Sequence, residues 1–273
     1  MRIKFWGTRG SIACPSPHHV RYGGNTSCLE VDTGEHLVIL DAGTGIRPLG
    51  TDLLGRGVGA AQILLTHTHW DHINGFPFFA PAYIPTGDFH VLAGHLTAQG
   101  GIEHVFDRQM ADPTFPVPLA AMQSNPKFED FTAGDSLDLV PGVKVRTCPL
   151  NHPNGATAYR IDCGGQSLCY ITDTEHVPGT HDQHILSLIE GADLVVYDST
   201  YTEEEFPSKV GWGHSTWNEG MALCKLAGAK KLGIFHHDPG HEDDFMDKLG
   251  AEAEAQWPGH VAVCRDFMEI VLD

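Results

Sequence analysis

The sequence predicts an α/β fold in which two packed β-sheets carry helices on their outer faces. Three observations favour this fold. Strand-like segments follow one another directly in both halves of the chain, helix-like segments are interspersed among them, and no low-complexity linker divides the 273 residues. Because no linker is found, we expect one domain spanning residues 1–273. The adjacent strands favour two packed sheets over a doubly wound parallel sheet.

Short apolar runs, bounded by glycine-rich turns or by polar residues, mark the predicted elements in chain order. The predicted strands are Ile3–Trp6, Ser27–Asp32, Leu37–Leu40, Ile63–Leu65, Val143–Cys148, Ala158–Asp162, Ser167–Ile171, Leu194–Tyr197 and Leu232–Phe235. The predicted helices are Asp182–Glu190, Trp217–Leu226 and Glu242–Ala255.

The segment from Phe76 to Met122 is rich in proline and aromatic residues and has two interpretations. It is either an irregular connection that covers the core, or an apolar wall or lid over a functional site. Its position directly after a histidine-rich motif keeps the second interpretation open.

Composition limits the cellular setting and the partners. The seven cysteines show no CxxC spacing, which favours reduced thiols over a disulfide framework. The N-terminal segment lacks the apolar core of a signal peptide, and no run approaches the ~18 apolar residues that cross a bilayer. We therefore expect a cytoplasmic protein without a membrane partner.

The formal charge of −18 repels phosphate backbones and disfavours a long nucleic acid as partner.

The strongest functional signal follows the predicted strand Ile63–Leu65. The residues His67, His69, Asp71 and His72 form the pattern His-x-His-x-Asp-His, which chance would produce on the order of 0.01 times in a chain of this composition. In an extended strand, side chains at i and i+2 share a face, so the first two histidines can bind one ion together. If the chain turns after Trp70, the last two residues can hold a second ion. Imidazole and carboxylate ligands suit zinc, iron, manganese or nickel, and suit magnesium or calcium poorly.

Further candidate ligands follow other predicted strands. His152 follows Val143–Cys148, Asp173 follows Ser167–Ile171, and either His236 or His237 follows the last predicted strand. Each is weak evidence alone, but their recurrence at the ends of apolar strands predicts a shared metal site.

The order of these residues resembles the metallo-β-lactamase superfamily of dinuclear hydrolases. The segments Phe5–Ser11, Asn25–Ser27 and Leu40–Gly45 resemble the branch that holds ribonuclease Z and related phosphodiesterases. The resemblance implies a four-layer αββα sandwich of two mixed sheets with helices outside, and a metal site in a groove along one edge.

The resemblance also implies how the ligands divide between two divalent ions, expected to be Zn²⁺, with Mn²⁺ or iron as alternatives. The first ion would be bound by His67, His69 and His152, the second by Asp71, His72 and His236, and Asp173 would bridge them. His237 is the competing assignment for His236. Asp41 is expected to order the loop beneath the ligands.

The turn Gly213-His214-Ser215-Thr216 adds a candidate that is not a ligand. Thr216 and Glu219 form a capping-box pattern, which places His214 just before a helix N-terminus, where an anion is favoured. In ribonuclease Z-like enzymes a similar turn supplies a histidine to the phosphate or leaving group. The resemblance implies that Asp198 orients His214; the family often has glutamate there.

These residues predict a metal-dependent hydrolase that cleaves a small phosphodiester, such as a cyclic nucleotide, by attack of a metal-bridging hydroxide. Asp71 would orient or deprotonate the water, and His214 would protonate the departing oxygen. The alternative is hydrolysis of a carbon-centred ester, lactone, thioester or lactam on the same fold. Flavin-dependent redox chemistry and a non-catalytic sensor are weaker alternatives. A homodimer is left open.

Overall fold

Two seven-stranded β-sheets form the centre of the computed structural model, which describes residues 1–96 and 100–273. In chain order the strands are β1 (Arg2–Gly7), β2 (Cys28–Asp32), β3 (Leu37–Leu40), β4 (Ala60–Leu65), β5 (Asp88–Ala93), β6 (Lys127–Asp130), β7 (Ser136–Val140), β8 (Val143–Leu150), β9 (Ala156–Cys163), β10 (Gln166–Ile171), β11 (Leu194–Asp198), β12 (Leu232–Phe235), β13 (Val261–Val263) and β14 (Glu269–Val271). All nine predicted strands are confirmed, with ends that differ by up to three residues.

Both sheets are mixed, and each combines an antiparallel part with a parallel part. The first sheet has the order β14-β1-β2-β3-β4-β5-β6, and the second has β13-β12-β11-β10-β9-β8-β7. Strands β1 to β3 and β7 to β10 form the predicted meanders, whereas β3 to β6 and β10 to β13 pair in parallel. Parallel pairing requires crossover connections, which the helices supply.

Within residues 1–96 and 100–273, six α-helices connect or cover the strands. They are α1 (Ile46–Arg56), α2 (Trp70–Ile73), α3 (Gly101–Gln109), α4 (Gln183–Ile189), α5 (Trp217–Ala227) and α6 (Asp243–Gln256). The three predicted helices correspond to α4, α5 and α6. The capping prediction for α5 is confirmed on one side, because the Thr216 hydroxyl accepts the Glu219 N–H at 3.2 Å.

Three apolar layers show that the molecule is a four-layer αββα sandwich. One cluster packs α1 and α3 against the outer face of the first sheet, and a second packs α4, α5 and α6 against the second sheet. The third cluster lies between the sheets and includes Phe5, Leu40, Tyr159 and Phe235. The predicted fold class is thereby confirmed. No helix in the described ranges is long and apolar enough to cross a bilayer.

The proline-rich segment 76–122 is not an irregular connection throughout, because it contains a strand and a helix. It contributes β5, which pairs with β4 and β6, and α3, whose Phe106 ring packs 4.1 Å from that of Phe76. That part of the segment therefore belongs to the core of the first sheet. Residues 97–99 of the predicted lid lie outside the described residues, and a lid function for the segment stays a prediction.

Strand direction brings the candidate site residues to one edge of the sandwich. Strands β10, β11 and β12 run in parallel, with Ile171 paired to Tyr197 and Asp198 paired to Phe235. Because their carboxyl ends are level, the residues that follow them meet at the same edge. The loops after β3, β4 and β8 reach this edge as well.

Candidate metal centre

Three histidines from two loops meet at this edge and form the first trio, defined as His67, His69 and His152. The His67 and His69 rings are 4.5 Å apart, and His152 Nε2 lies 3.0 Å from His69 Nδ1. Strand β4 ends at Leu65, so the first two histidines stand in the following loop and not in the strand. They nevertheless converge, and one nitrogen from each member of the trio lies within 4.8 Å of the other two.

Asp71, His72 and His236 form a second trio beside the first. Helix α2 begins at Trp70 and turns the chain, as expected, and it carries Asp71 and His72. Both residues join His236, although the His72 ring stays 4.2 Å from that of His67. His236 Nε2 lies 3.3 Å from His72 Nε2 and 3.3 Å from Asp71 Oδ2. Six predicted ligands are therefore brought together in two groups of three.

Asp173 lies between the two trios. Its Oδ1 is 3.7 Å from the Nε2 atoms of His67 and His152, and its Oδ2 is 3.1 Å and 3.2 Å from those of His72 and His236. One carboxylate oxygen therefore faces each trio. The surrounding imidazoles outweigh the effect of burial and hold the pKa of Asp173 well below its usual range, so this carboxylate is ionised.

The backbone is strained where three of the site residues follow their strands. Asp41, Asp173 and His236 each have a φ of 62°, in the left-handed region that residues other than glycine rarely adopt. Each such conformation costs on the order of 1–3 kcal/mol and persists where the surroundings impose it. Gly10 allows a close approach to one of them, because a Cβ atom there would lie 2.4 Å from the ring of His236.

Asp41 supports the second trio from below, as predicted. Its Oδ2 lies 2.8 Å from His72 Nδ1, and it also accepts hydrogen bonds from the Thr66 N–H at 2.8 Å and the Tyr170 hydroxyl at 2.9 Å. A carboxylate accepts only, so His72 donates from Nδ1 and its Nε2 faces Asp71 and His236. Nε2 would supply its lone pair to a metal ion there after losing its proton. A contact such as that between Asp41 and His72 orients a histidine for metal binding.

Two more histidines are oriented in the same way. His152 donates from Nδ1 to the carbonyl of Gly213 at 2.8 Å, and His236 Nδ1 lies 2.9 Å from the hydroxyl of Thr200. The Nε2 atom of His152 therefore has a lone pair, which faces the other two histidines of the first trio. Sequence reasoning did not identify Gly213, Thr200 or Tyr170 as members of this site.

The donor set fits divalent metal ions. His67 is buried, and its Nε2 has no hydrogen-bond partner among the described residues although it faces the other members of the first trio. Burial lowers the pKa of His67 well below its usual range, so its ring is neutral and can donate a lone pair. A buried polar atom without a partner is costly, and a metal ion on Nε2 would remove that cost.

His214 lies at the edge of the cluster and is paired with Asp198. Its Nδ1 is 2.9 Å from Asp198 Oδ2, its ring stacks on that of His236 at 4.9 Å, and its side chain is 11% exposed. Burial lowers the pKa of His214, but the Asp198 carboxylate outweighs this effect and raises the pKa to about 9. At neutral pH the ring is charged, and Nε2–H can donate a proton.

Between the two histidines that follow β12, the structure places His236 in the cluster. The ring of His237 points away, and its Nε2 donates to the Cys264 carbonyl at 2.7 Å. Burial lowers the pKa of His237 to about 3, so it is neutral. Sequence reasoning also missed Ser11, whose N–H donates to Asp71 Oδ2 at 2.7 Å.

Comparison with known proteins agrees with this geometry. A family model described as a beta-lactamase superfamily domain matches residues 36–237. The chain belongs to the β-lactamase superfamily. This membership confirms the predicted resemblance to the metallo-β-lactamase superfamily. It also agrees with the prediction of a metal-dependent hydrolase.

Relatives of this superfamily member span its whole length. Ribonuclease Z of Haloarcula marismortui is 24% identical, over 98% of this chain and 96% of the relative. The metallo-beta-lactamase fold protein YhfI of Bacillus subtilis superposes with a TM-score of 0.75 at 19% identity, covering 98% of both chains. A diphosphatase of the PhnP family superposes with a TM-score of 0.70 at 18% identity, covering 100% of this chain and 98% of the other. These structures share the fold of this chain.

Proposed function

We propose that this protein is a metal-dependent phosphodiesterase that cleaves a small phosphodiester. The observation that carries the proposal is the His214–Asp198 pair at the edge of the cluster, in which His214 Nδ1 lies 2.9 Å from Asp198 Oδ2. When a phosphodiester is hydrolysed, its leaving group departs as an alkoxide that needs a proton, and a positioned acid supplies that proton. A cluster that only bound metal would not require this acid.

Two divalent ions, which we expect to be Zn²⁺ with Mn²⁺ or iron as alternatives, are assigned to the trios. His67, His69 and His152 would hold one ion, Asp71, His72 and His236 the other, and Asp173 would contribute to both. When bound, such ions lower the pKa of a water and polarise the phosphoryl oxygens.

The remaining steps are assigned to the chain's own residues. Asp71 accepts a hydrogen bond from the Ser11 N–H, which holds the carboxylate where it can orient the attacking water or take its proton. His214 donates its Nε2 proton to the departing oxygen, and Asp198 stabilises the charged ring before that transfer. Asp71, His214 and Asp198 are therefore the proposed catalytic residues.

The charge balance favours a small substrate. The chain carries a formal charge of −18, and two divalent ions offset only a small part of it. A long polyanion would meet this repulsion along its whole length, whereas a cyclic nucleotide or another short diester would meet it only at the metal cluster. Because one relative is named ribonuclease Z, RNA is the long substrate with which small diesters should be compared.

We place this reaction in the cytoplasm, because seven free cysteines are typical of a reducing compartment. Whether the chain forms a homodimer is a separate prediction that gel filtration with light scattering would test.

The decisive experiment compares substrate classes on one zinc-loaded preparation. The panel contains bis(p-nitrophenyl) phosphate, 2′,3′- and 3′,5′-cyclic AMP, a transfer RNA precursor, a lactone, a thioester and nitrocefin. We expect turnover of small diesters and none of the carbon-centred substrates. Faster hydrolysis of a lactone, thioester or lactam would refute the proposal and favour the alternative function. Preferred cleavage of the RNA precursor would overturn the substrate size.

The role of the acid is tested with His214→Ala, and His181→Ala serves as a matched control. His181 Nδ1 lies 2.9 Å from Glu219 Oε1 in a similar histidine–carboxylate pair, but outside the metal cluster. We expect His214→Ala to slow an unactivated diester by at least about a hundredfold. The effect on p-nitrophenyl esters should be smaller, because p-nitrophenolate leaves without a proton. Equal losses on both substrates would remove His214 from the role of acid.

A further inference from the structure

A glutamate that the proposed chemistry does not use holds the loop next to the acid. Glu175 follows Asp173 by two residues and is half-buried. Its Oε2 accepts two backbone hydrogen bonds, from the N–H groups of Gly211 at 2.7 Å and Gly213 at 2.9 Å. Across the described residues no lysine, arginine or histidine pairs with this carboxylate within 4.0 Å.

The loop held in this way, residues 209–213, touches the site in two places. The Gly213 carbonyl accepts the hydrogen bond from His152 Nδ1, and the next residue in the chain is His214. A change in the position of Gly213 would therefore alter both a proposed metal ligand and the proposed acid.

Glu175 is also tied to the chain that precedes His152. Its N–H donates to the Asn151 carbonyl at 2.8 Å, and the Asn151 side-chain amide donates back to the Glu175 carbonyl at 2.8 Å. The backbone of Glu175 thus contacts the residue before His152, while its side chain contacts the residue before His214.

The loop has contacts of its own, because the Trp212 N–H donates to the Lys209 carbonyl at 3.0 Å and Lys209 Nζ lies 4.5 Å from the centre of the Trp212 ring. These contacts hold the turn but do not set its distance from His152. Gly211 and Gly213 have φ values of 90° and 86°, and the side chain of Trp212 between them is 59% exposed. A Cβ atom on Gly213 would lie 2.3 Å from His152 Nδ1, so the backbone must approach the ring closely. Because two glycines leave the loop backbone flexible, the contact from Glu175 helps to maintain the approach of Gly213 to His152.

We propose that Glu175 is a positioning residue for the diester cleavage proposed above. Its carboxylate holds the 209–213 loop so that the Gly213 carbonyl orients His152 and the His214 ring stays beside Asp198. The expected effect on reaction rates rests on the proposed function. The expected effect on the loop backbone rests on the loop contacts alone.

The structural part is tested by hydrogen exchange in the absence of substrate. We expect the Gly211 and Gly213 amides to exchange at least about tenfold faster in Glu175→Ala than in the wild type. Glu175→Gln retains an acceptor oxygen and should restore most of the protection. Glu254→Ala is the matched control, because Glu254 Oε1 accepts the Gly259 N–H at 2.8 Å, away from the site. Unchanged exchange at the two glycines in Glu175→Ala would overturn the proposal.

The kinetic part compares leaving groups. We expect Glu175→Ala to slow an unactivated diester at least about tenfold and a p-nitrophenyl diester much less, as for loss of a general acid. Glu175→Gln should recover part of the rate, and Glu175→Ala should add little to the loss in His214→Ala. Equal slowing of both substrates, or additive losses in the double variant, would overturn the positioning of His214. If the wild type cleaves no diester, the proposed function fails, and the exchange result alone decides on the loop contact.

Discussion

At the scale of single residues, two adjacent histidines have opposite surroundings. His236 faces the second trio, whereas His237 is buried against the Cys264 carbonyl. We expect His236→Gln to lower the bound metal from two ions per chain to about one, since a ligand is lost. Elemental analysis of the purified variant measures this.

His237→Gln is the control for that measurement, because a glutamine amide can still donate to the Cys264 carbonyl. We expect it to keep two ions per chain. Loss of metal from His237→Gln, with full metal in His236→Gln, would reverse the assignment of the ligand.

Asp266 provides a pH-dependent test of stability away from the metal cluster. Burial raises its pKa to about 6, although Asn25 donates to its carboxylate from the backbone N–H and the side-chain amide. The folded protein therefore binds this proton more tightly than the unfolded chain. Its contribution to stability is complete below pH 3.8 and is lost as the pH rises through 6.

We expect Asp266→Asn to raise the free energy of unfolding relative to the wild type at pH 8, by up to about 3 kcal/mol, and by less at pH 5. The asparagine oxygen can still accept from Asn25, so the difference isolates the cost of the buried charge. Urea unfolding at both pH values measures it. A difference that does not change between them would contradict this account.

The residues that carry chemistry were largely predictable from the sequence, but the groups that orient them were not. The proposed ligands have side chains of recognisable type at the ends of apolar runs. The carbonyl of Gly213 and the hydroxyl of Thr200 carry no such signal, because any residue has a carbonyl and hydroxyls are common. Which histidine of the 236–237 pair faces the cluster depends on the backbone angle at His236.

At the scale of elements, packing determines the segments that the sequence did not predict. Helix α1 contains Pro48, Gly50 and Gly55, which lower helix propensity. It forms because Leu49 and Leu53 are buried against the first sheet. Strand β5 was missed because it lies within the proline-rich segment, where aromatic residues obscured its apolar pattern.

Helix α1 also offers a paired test of glycine conformations. A Cβ atom on Gly55 would meet no atom of the described residues within 4 Å, whereas Gly57 ends the helix with a φ of 70°. We expect Gly55→Ala to stabilise the protein by about 0.5–1 kcal/mol, through helix propensity. Gly57→Ala should destabilise it by about 1 kcal/mol, because alanine is strained in the left-handed region. Chemical denaturation measures both, and shifts in the same direction would contradict the role given to the C-terminal glycine.

At the scale of the whole molecule, we expect bound metal ions to stabilise the fold. The trios draw residues from loops of both sheets, so bound ions would link the two halves of the sandwich. A ligand that binds only the folded state at 100 times its Kd stabilises it by about 2.7 kcal/mol. For a chain of this size we expect metal removal by a chelator to lower Tm by about 5–10 °C.

Differential scanning calorimetry with and without chelator measures this shift, and added zinc should reverse it. A Tm that does not respond to chelator or zinc would show that the cluster binds no ion that matters for folding.

Anomalous diffraction from zinc-loaded crystals would show whether two ions lie side by side in the cluster, as we propose. We expect two peaks about 3.5–4 Å apart, one in each trio, with the Asp173 carboxylate between them. A single peak would leave the dinuclear mechanism without its second ion. No peak within reach of His67, His72 and Asp173 would contradict the account as a whole.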